Sequence, residues 1–197
     1  MKRITKLLMA VMAVILMLAL SACTPKVTVD ELKAALPQLV EDSKVLNEIY
    51  FGEGFKVDGS ISDVAANGGY YYCDCTEFEL YSISDIKDAT EKVFTSDYSK
   101  ILYEAAFDGV TTDSAVEAPR FSEGELGLMQ KASDEKYVLK DREFDYDSLK
   151  VQKRDGDRVT VMVNTYVGGA RDDTITLIVV RSGIEGNYTY RLDSPTY

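Results

Sequence analysis

Apolar positions along the chain follow three different spacings in turn. Residues 7–20 are an unbroken apolar run of 14 residues behind Lys2, Arg3 and Lys6. A helix needs about 20 apolar residues to cross a bilayer core, so this run fits the apolar centre of a signal peptide better than a membrane anchor. The spacing then becomes helical. Thr28-Val29-Asp30-Glu31 has the form of a capping box, and Leu32, Leu36, Leu39, Leu46, Ile49 and Tyr50 share one helix face. Pro37 is expected to kink or restart this helix, and Gly52 and Gly54 to close it. Residues 55–69 read as a loop with room for a short strand, and the aromatic residues 70–80 as a strand. Ser82 or Ser84 caps a second helix over 85–94, and Thr95-Ser96-Asp97 restarts it to about Phe107.

After a linker over 108–119 and weak strand material over 121–129, the period falls to two. Strands are expected over 137–144, 148–153, 158–167, 174–181 and 188–192, with Asp155-Gly156 as a hairpin turn. Helices followed by a meander predict an α+β fold, with N-terminal helices packed on a curved antiparallel sheet. The predicted organisation is a signal peptide over 1–22, a tether over 23–29 and a single α+β domain over 30–197.

Composition sharpens this picture in two places. Leu20-Ser21-Ala22-Cys23 resembles a bacterial lipobox, which implies that Cys23 receives a diacylglyceryl group and becomes the mature N-terminus. Two acyl chains suffice for stable anchoring, so the expected location is the extracytoplasmic face of a bacterial membrane. Of 22 basic residues three lie in the leader, leaving 19 against 33 acidic ones, a formal −14. That balance argues against nucleic acid as a partner and against adsorption to anionic lipid through basic clusters.

Histidine is absent, which removes the usual general base, the Ser-His and Cys-His dyads and most zinc sites. Cys73 and Cys75 stand two apart on a predicted strand, about 6.5–7 Å between Cα atoms, at or beyond disulfide reach. Buried thiols are favoured over a redox pair. The carboxylate groups Asp134-Glu135, Asp141 with Glu143, Asp145 with Asp147, and Asp172-Asp173 read as a solvated face, and the glycine pairs lack the spacing of a phosphate loop. No enzyme, metal or cofactor is expected. Tyr70, Tyr72 and Phe78 are candidates to line a pocket between helix and sheet, the alternative reading being a small-ligand-binding lipoprotein module.

The order of features supplies a further lead. Gly69-Tyr70-Tyr71-Tyr72 is followed by Ile83-Ser84-Asp85-Ile86-Lys87, then Pro119-Arg120-Phe121 with Gly124-Glu125-Leu126, and the chain ends Tyr190-Arg191-Leu192-Asp193-Ser194-Pro195-Thr196-Tyr197. This resembles the IseA-type inhibitors of cell-wall D,L-endopeptidases of Gram-positive bacteria, whose fold is similar to the cystatin-like, nuclear-transport-factor-two-like cone. The resemblance implies a stoichiometric inhibitor that occludes the active-site cleft of a cell-wall peptidase. From charge and turn position, the expected contact residues are Asp172 and Asp173, then Glu123 and Glu125.

Overall fold

The computed structural model describes residues 25–58, 68–111, 116–132 and 138–197. The expected signal peptide over 1–22 and Cys23 lie outside them. Helix α1 (Val29–Tyr50) begins at the expected box: the Glu31 N–H donates to Thr28 Oγ1 at 3.2 Å, and the Thr28 N–H donates to the Glu31 carboxylate at 2.6 Å. The helix runs through Pro37 without a break. Pro37 sits on the exposed side, where water can satisfy the Lys33 carbonyl that loses its partner.

The remaining helices are α2 (Ile83–Val93), capped by Ser82, and α3 (Ser96–Tyr103), capped by Thr95, followed by a π turn (Glu104–Asp108). The strands are β1 (Lys56–Val57), β2 (Tyr70–Asp74), β3 (Val110–Thr111), β4 (Val116–Glu117), β5 (Phe121–Gly124), β6 (Gly127–Lys131), β7 (Glu143–Asp155), β8 (Arg158–Val167), β9 (Ala170–Ile184) and β10 (Asn187–Leu192).

The architecture is α+β, with the strands divided between two four-stranded antiparallel sheets, β1-β2-β6-β5 and β10-β9-β8-β7, and a small β3-β4 ribbon. The tyrosine strand does not join the meander. It pairs with the Gly124–Gly127 hairpin instead, and Cys75 onward turns away into α2. Of two expected strands, 137–144 and 148–153, the second lies within β7, which spans Glu143 to Asp155 through the expected break at 145–147 with two register shifts, whereas 138–142 of the first form no strand.

The core forms between α1 and the inner face of the second sheet. Leu32, Leu36 and Ile49 are fully buried together with Val159, Val161 and Leu177. Alternation along β8 and β9 delivers these valines and leucines to one face.

The second sheet has two distinct ends. At one, Arg154 Nε donates to the Val27 carbonyl and Arg181 Nη2 to the Pro25 carbonyl, so the start of the described chain lies beside turns 155–158 and 184–187. Residues 25–28 are thus fastened and not a free tether: Val27 is 2% exposed. Moving along α1, Lys33 pairs with Asp147 and Lys44 with Asp141, bringing the helix C-terminus to the opposite end, where the β8–β9 turn lies. The ten residues of β8 separate the two ends by about 30 Å at ~3.3 Å per residue.

The C-terminal tail buckles these layers together. Asp193 N–H donates to the Ile178 carbonyl, Ser194 Oγ accepts the Ile178 N–H, and Asp193 also bonds Thr95 and pairs with Arg158. Thr196 Oγ1 accepts from Asn47 Nδ2 at 2.8 Å and meets Ser43 Oγ at 2.7 Å, all three residues buried and the latter two on α1. Tyr197 then packs on Phe51, ring centroids 4.9 Å apart.

The ionisable groups predict a flat stability profile at neutral pH. Hydrogen bonds from Thr28 hold Glu31 below its ordinary 4.5, and those from Lys140 and Arg142 hold Asp172 below 3.8. A lowered carboxyl stabilises the fold above its ordinary value and loses that contribution as pH falls through it. Burial, and secondarily Cys75, pushes the Cys73 thiol from 9.0 up to about 12, a contribution complete below 9.0 and lost as pH rises. No histidine titrates between these limits. Urea midpoints are therefore expected to be level from about pH 5.5 to 8.5 and to fall on both sides. A slope inside that window would contradict this assignment of charges.

Candidate functional site

The end of the second sheet away from Pro25 is built on a two-residue hairpin. Gly168 (φ 57°) and Gly169 (φ 78°) take left-handed conformations between Val167 and Ala170, the geometry of a turn that continues the strand twist. Just beyond, Asp172 Oδ1 accepts from Lys140 Nζ at 2.7 Å and Oδ2 from Arg142 Nε at 2.8 Å. Asp172 and Arg142 are 15% and 12% exposed, so this bond ties residues 140–142 against β9 in a partly desolvated site. Asp172 is therefore a brace whose charge is neutralised within the molecule.

Asp173 is exposed, with Oδ1 accepting the Thr174 N–H at 2.7 Å. Asp141 is 95% exposed, with Lys44 at 3.5 Å. Arg171, also exposed, reaches Asn164 and Thr174. The expected acidic loop is thus an end of mixed charge. Beside it, Val138, Leu139, Phe51 and Tyr197 line a groove of about 450 Å³ rimmed by Lys140 and Arg142, with Val138 95% exposed.

Glu123 and Glu125 lie elsewhere, on the first sheet. Glu123 Oε1 accepts the Ile83 N–H at 2.8 Å, adding a carboxylate to the positive end of α2, and Glu125 is exposed in the β5–β6 turn. The fold does not bring these two to the second-sheet end that holds Asp172 and Asp173.

The aromatic residues of β2 divide by strand alternation. Tyr70 donates to the Pro119 carbonyl at 2.5 Å, and Tyr72 is 8% exposed with its hydroxyl over Gly124, where a Cβ would lie 2.5 Å away. Tyr71, on the other face, lines a groove of about 670 Å³ with Phe78, Phe55, Arg120 and Gln130. Phe78 meets Phe55 edge to face at 5.2 Å. Lys56 and Glu77 on its rim pair with each other, and Arg120, Gln130 and Tyr71 bond the chain's own backbone. Arg120 donates to the carbonyls of Ile49 (2.9 Å) and Gly52 (2.7 Å), capping the C-terminus of α1, while Gln130 accepts from Phe55 N–H and donates to the Glu53 carbonyl. Tyr71 donates to the Phe55 carbonyl at 3.3 Å.

Both described cysteines are free thiols, Cys75 buried and Cys73 partly so. Burial raises both thiol pKa values, leaving little thiolate at neutral pH. Native protein is expected to react slowly with Ellman's reagent. After denaturation the titre should be two thiols per chain where Cys23 carries lipid and three where it does not. Rapid native reaction would contradict the burial of these side chains.

Among the described residues no three His, Cys, Asp or Glu side chains converge to hold a metal ion, and no helix is long and apolar enough to cross a membrane. No protein-family model matches the chain, and no curated protein matches it.

Proposed function

We propose that the chain is an extracytoplasmic lipoprotein, attached to a bacterial membrane through lipid on Cys23, that binds peptidoglycan D,L-endopeptidases and inhibits them by covering their active-site cleft. On this reading the long helix laid across a four-stranded antiparallel sheet is the body of a cystatin-like cone. The observation that carries the reading is the opposition of two ends: Pro25 is fastened at one, and the Gly168-Gly169 turn projects at the other, about 30 Å away by strand length. An inhibitor rooted in the membrane has to present its contact loops towards the wall, and this polarity does so.

Two features of the outer end favour protein contact. The Asp172 brace to Lys140 and Arg142 orders the loop before binding, which lowers the entropy lost on association. Exposed Val138 beside Tyr197 offers apolar area with a polar rim. Asp173 and Asp141 then supply steering that weakens as salt rises.

The test is titration of a D,L-endopeptidase on peptidoglycan with the purified protein at low salt. Hydrolysis is expected to fall in proportion to inhibitor until one equivalent is reached. Asp173→Lys, which leaves the brace intact, is expected to weaken inhibition about tenfold, or about 1.4 kcal/mol. Undiminished hydrolysis at excess protein would refute the proposal.

A second reading, a small-ligand module, is favoured by the groove of about 670 Å³, a volume within the ~300–1,000 Å³ of ligand sites. Its Arg120 and Gln130 already bond Ile49, Gly52, Glu53 and Phe55, which weighs against it.

A further inference from the structure

Arg181 occupies a core-facing position of β9 in register with Leu177 and Val179, where the alternation calls for an apolar residue. It is 3% exposed. Its guanidinium donates to Asp157 Oδ1 through Nε (2.8 Å) and Nη2 (2.6 Å), and Nη2 also donates to the Pro25 carbonyl at 2.5 Å. The same group stacks over the Tyr188 ring, 4.1 Å from its centroid, with Glu31 3.9 Å from Nη1. A buried, forked cation thus clasps the backbone only two residues after Cys23. Two residues reach at most about 7 Å, so the root of any lipid on Cys23 is confined to this end of the sheet.

Around the clasp lie turn 155–158 and turn 184–187, with Ile184 75% exposed near the apex of the latter. Exposed Lys26, Lys153, Arg154 and Arg158 here, with Arg181, stand among Asp30, Glu31, Asp155, Asp157, Glu185 and Asp193. On a strongly acidic chain, this mixture of charges limits repulsion from anionic headgroups. An exposed isoleucine at the tip of a turn beside the anchored start of the chain suits an interface of acyl chains beneath headgroups.

We infer that this end of the second sheet rests on the membrane surface, with Ile184 entering the headgroup layer, and that the Arg181–Pro25 clasp holds the domain upright on its anchor. The inference rests on the lipid-anchor reading of Cys23. It makes the clasp a device for orientation: a short, fastened connection keeps the opposite end pointed away from the bilayer, where a flexible one would let the domain lie on its side.

The test uses the acylated protein purified from bacterial membranes and reconstituted in vesicles of phosphatidylcholine and phosphatidylglycerol containing a headgroup-nitroxide lipid. Ile184→Cys and Val138→Cys each take a fluorophore under native conditions, where Cys73 and Cys75 are shielded. Quenching is expected to be several-fold stronger at 184 than at 138. Inserting about ten Gly/Ser residues between Thr24 and Pro25, which adds about 17 Å of mean reach, is expected to erase the difference without altering the fold. Equal quenching in acylated, vesicle-bound protein would overturn the orientation alone. A chain with three titratable thiols that stays off the vesicles would overturn the anchor reading and this inference together. Shielding of the 184 probe that persists in detergent and rises with protein concentration would assign the face to a second copy instead.

Discussion

Deleting residues 194–197 is expected to lower the unfolding free energy by about 4–6 kcal/mol, close to the whole stability of a marginal domain. The tail ends three different packing problems at once. Without Thr196 the Asn47 amide, buried on α1, loses its partner, while the buried Ser43 hydroxyl keeps its bond to the Val40 carbonyl. Each unpaired buried polar group costs about 1–3 kcal/mol. Without Ser194 the Ile178 N–H at the edge of β9 loses its acceptor, and without Tyr197 the Phe51 ring loses its aromatic neighbour. Urea denaturation of the shortened chain measures the sum. Thr196→Val isolates one component at about 1–3 kcal/mol, whereas Thr196→Ser keeps the hydroxyl and should cost well under 1 kcal/mol beyond the lost methyl. A shortened chain as stable as the parent would mean that the tail merely covers α1.

Arg181→Met is expected to cost about 2–3 kcal/mol. Methionine retains the stem that fills the end of the core, so the loss comes from the guanidinium contacts to Asp157, Pro25 and Tyr188. Asp157 is 43% exposed and can turn to water, which keeps the effect below that of a fully buried pair. The result should depend on what is measured. Global unfolding shifts by this amount, and amide exchange at Val27 and Thr28 should accelerate beyond it, because the segment before α1 is released locally. Unchanged exchange there would argue that Arg154 and the burial of Val27 suffice to hold the segment.

How much of this was legible in the sequence follows from distance along the chain. The capping box of α1, the Ser82 and Thr95 caps and the valine alternation of β8 each act within a few residues, and the sequence pattern displays them directly. Pro37 misleads because its cost depends on which side of the helix faces water, which only packing decides. The run of β7 through the expected break at 145–147 depends on bulges that the hydrophobic pattern alone does not reveal.

Long-range polar partners were least visible. Asp172 looked like a free surface acid until Lys140 and Arg142, some thirty residues earlier, met it across the strands. Arg120 gave no local sign of capping α1, which ends 70 residues before it. Arg181 did break the apolar alternation of β9, and a charged residue at an inward position is a signal in itself: it has to find partners, and here they are Asp157 and the Pro25 carbonyl before α1. Among the β2 tyrosines, alternation separates Tyr71 from Tyr70 and Tyr72, but only the placement of Phe55 and Gln130 determines which face has a groove.

The measurement that tests the account most directly is the hydrogen-exchange footprint of the protein mixed with a D,L-endopeptidase, the partner proposed for it. Protection is expected at residues 138–142 and 168–173, with turns 155–158 and 184–187 exchanging as in the free protein. Protection confined to those two turns, with the Gly168-Gly169 hairpin unaffected, would contradict the assignment of the outward end as the contact surface.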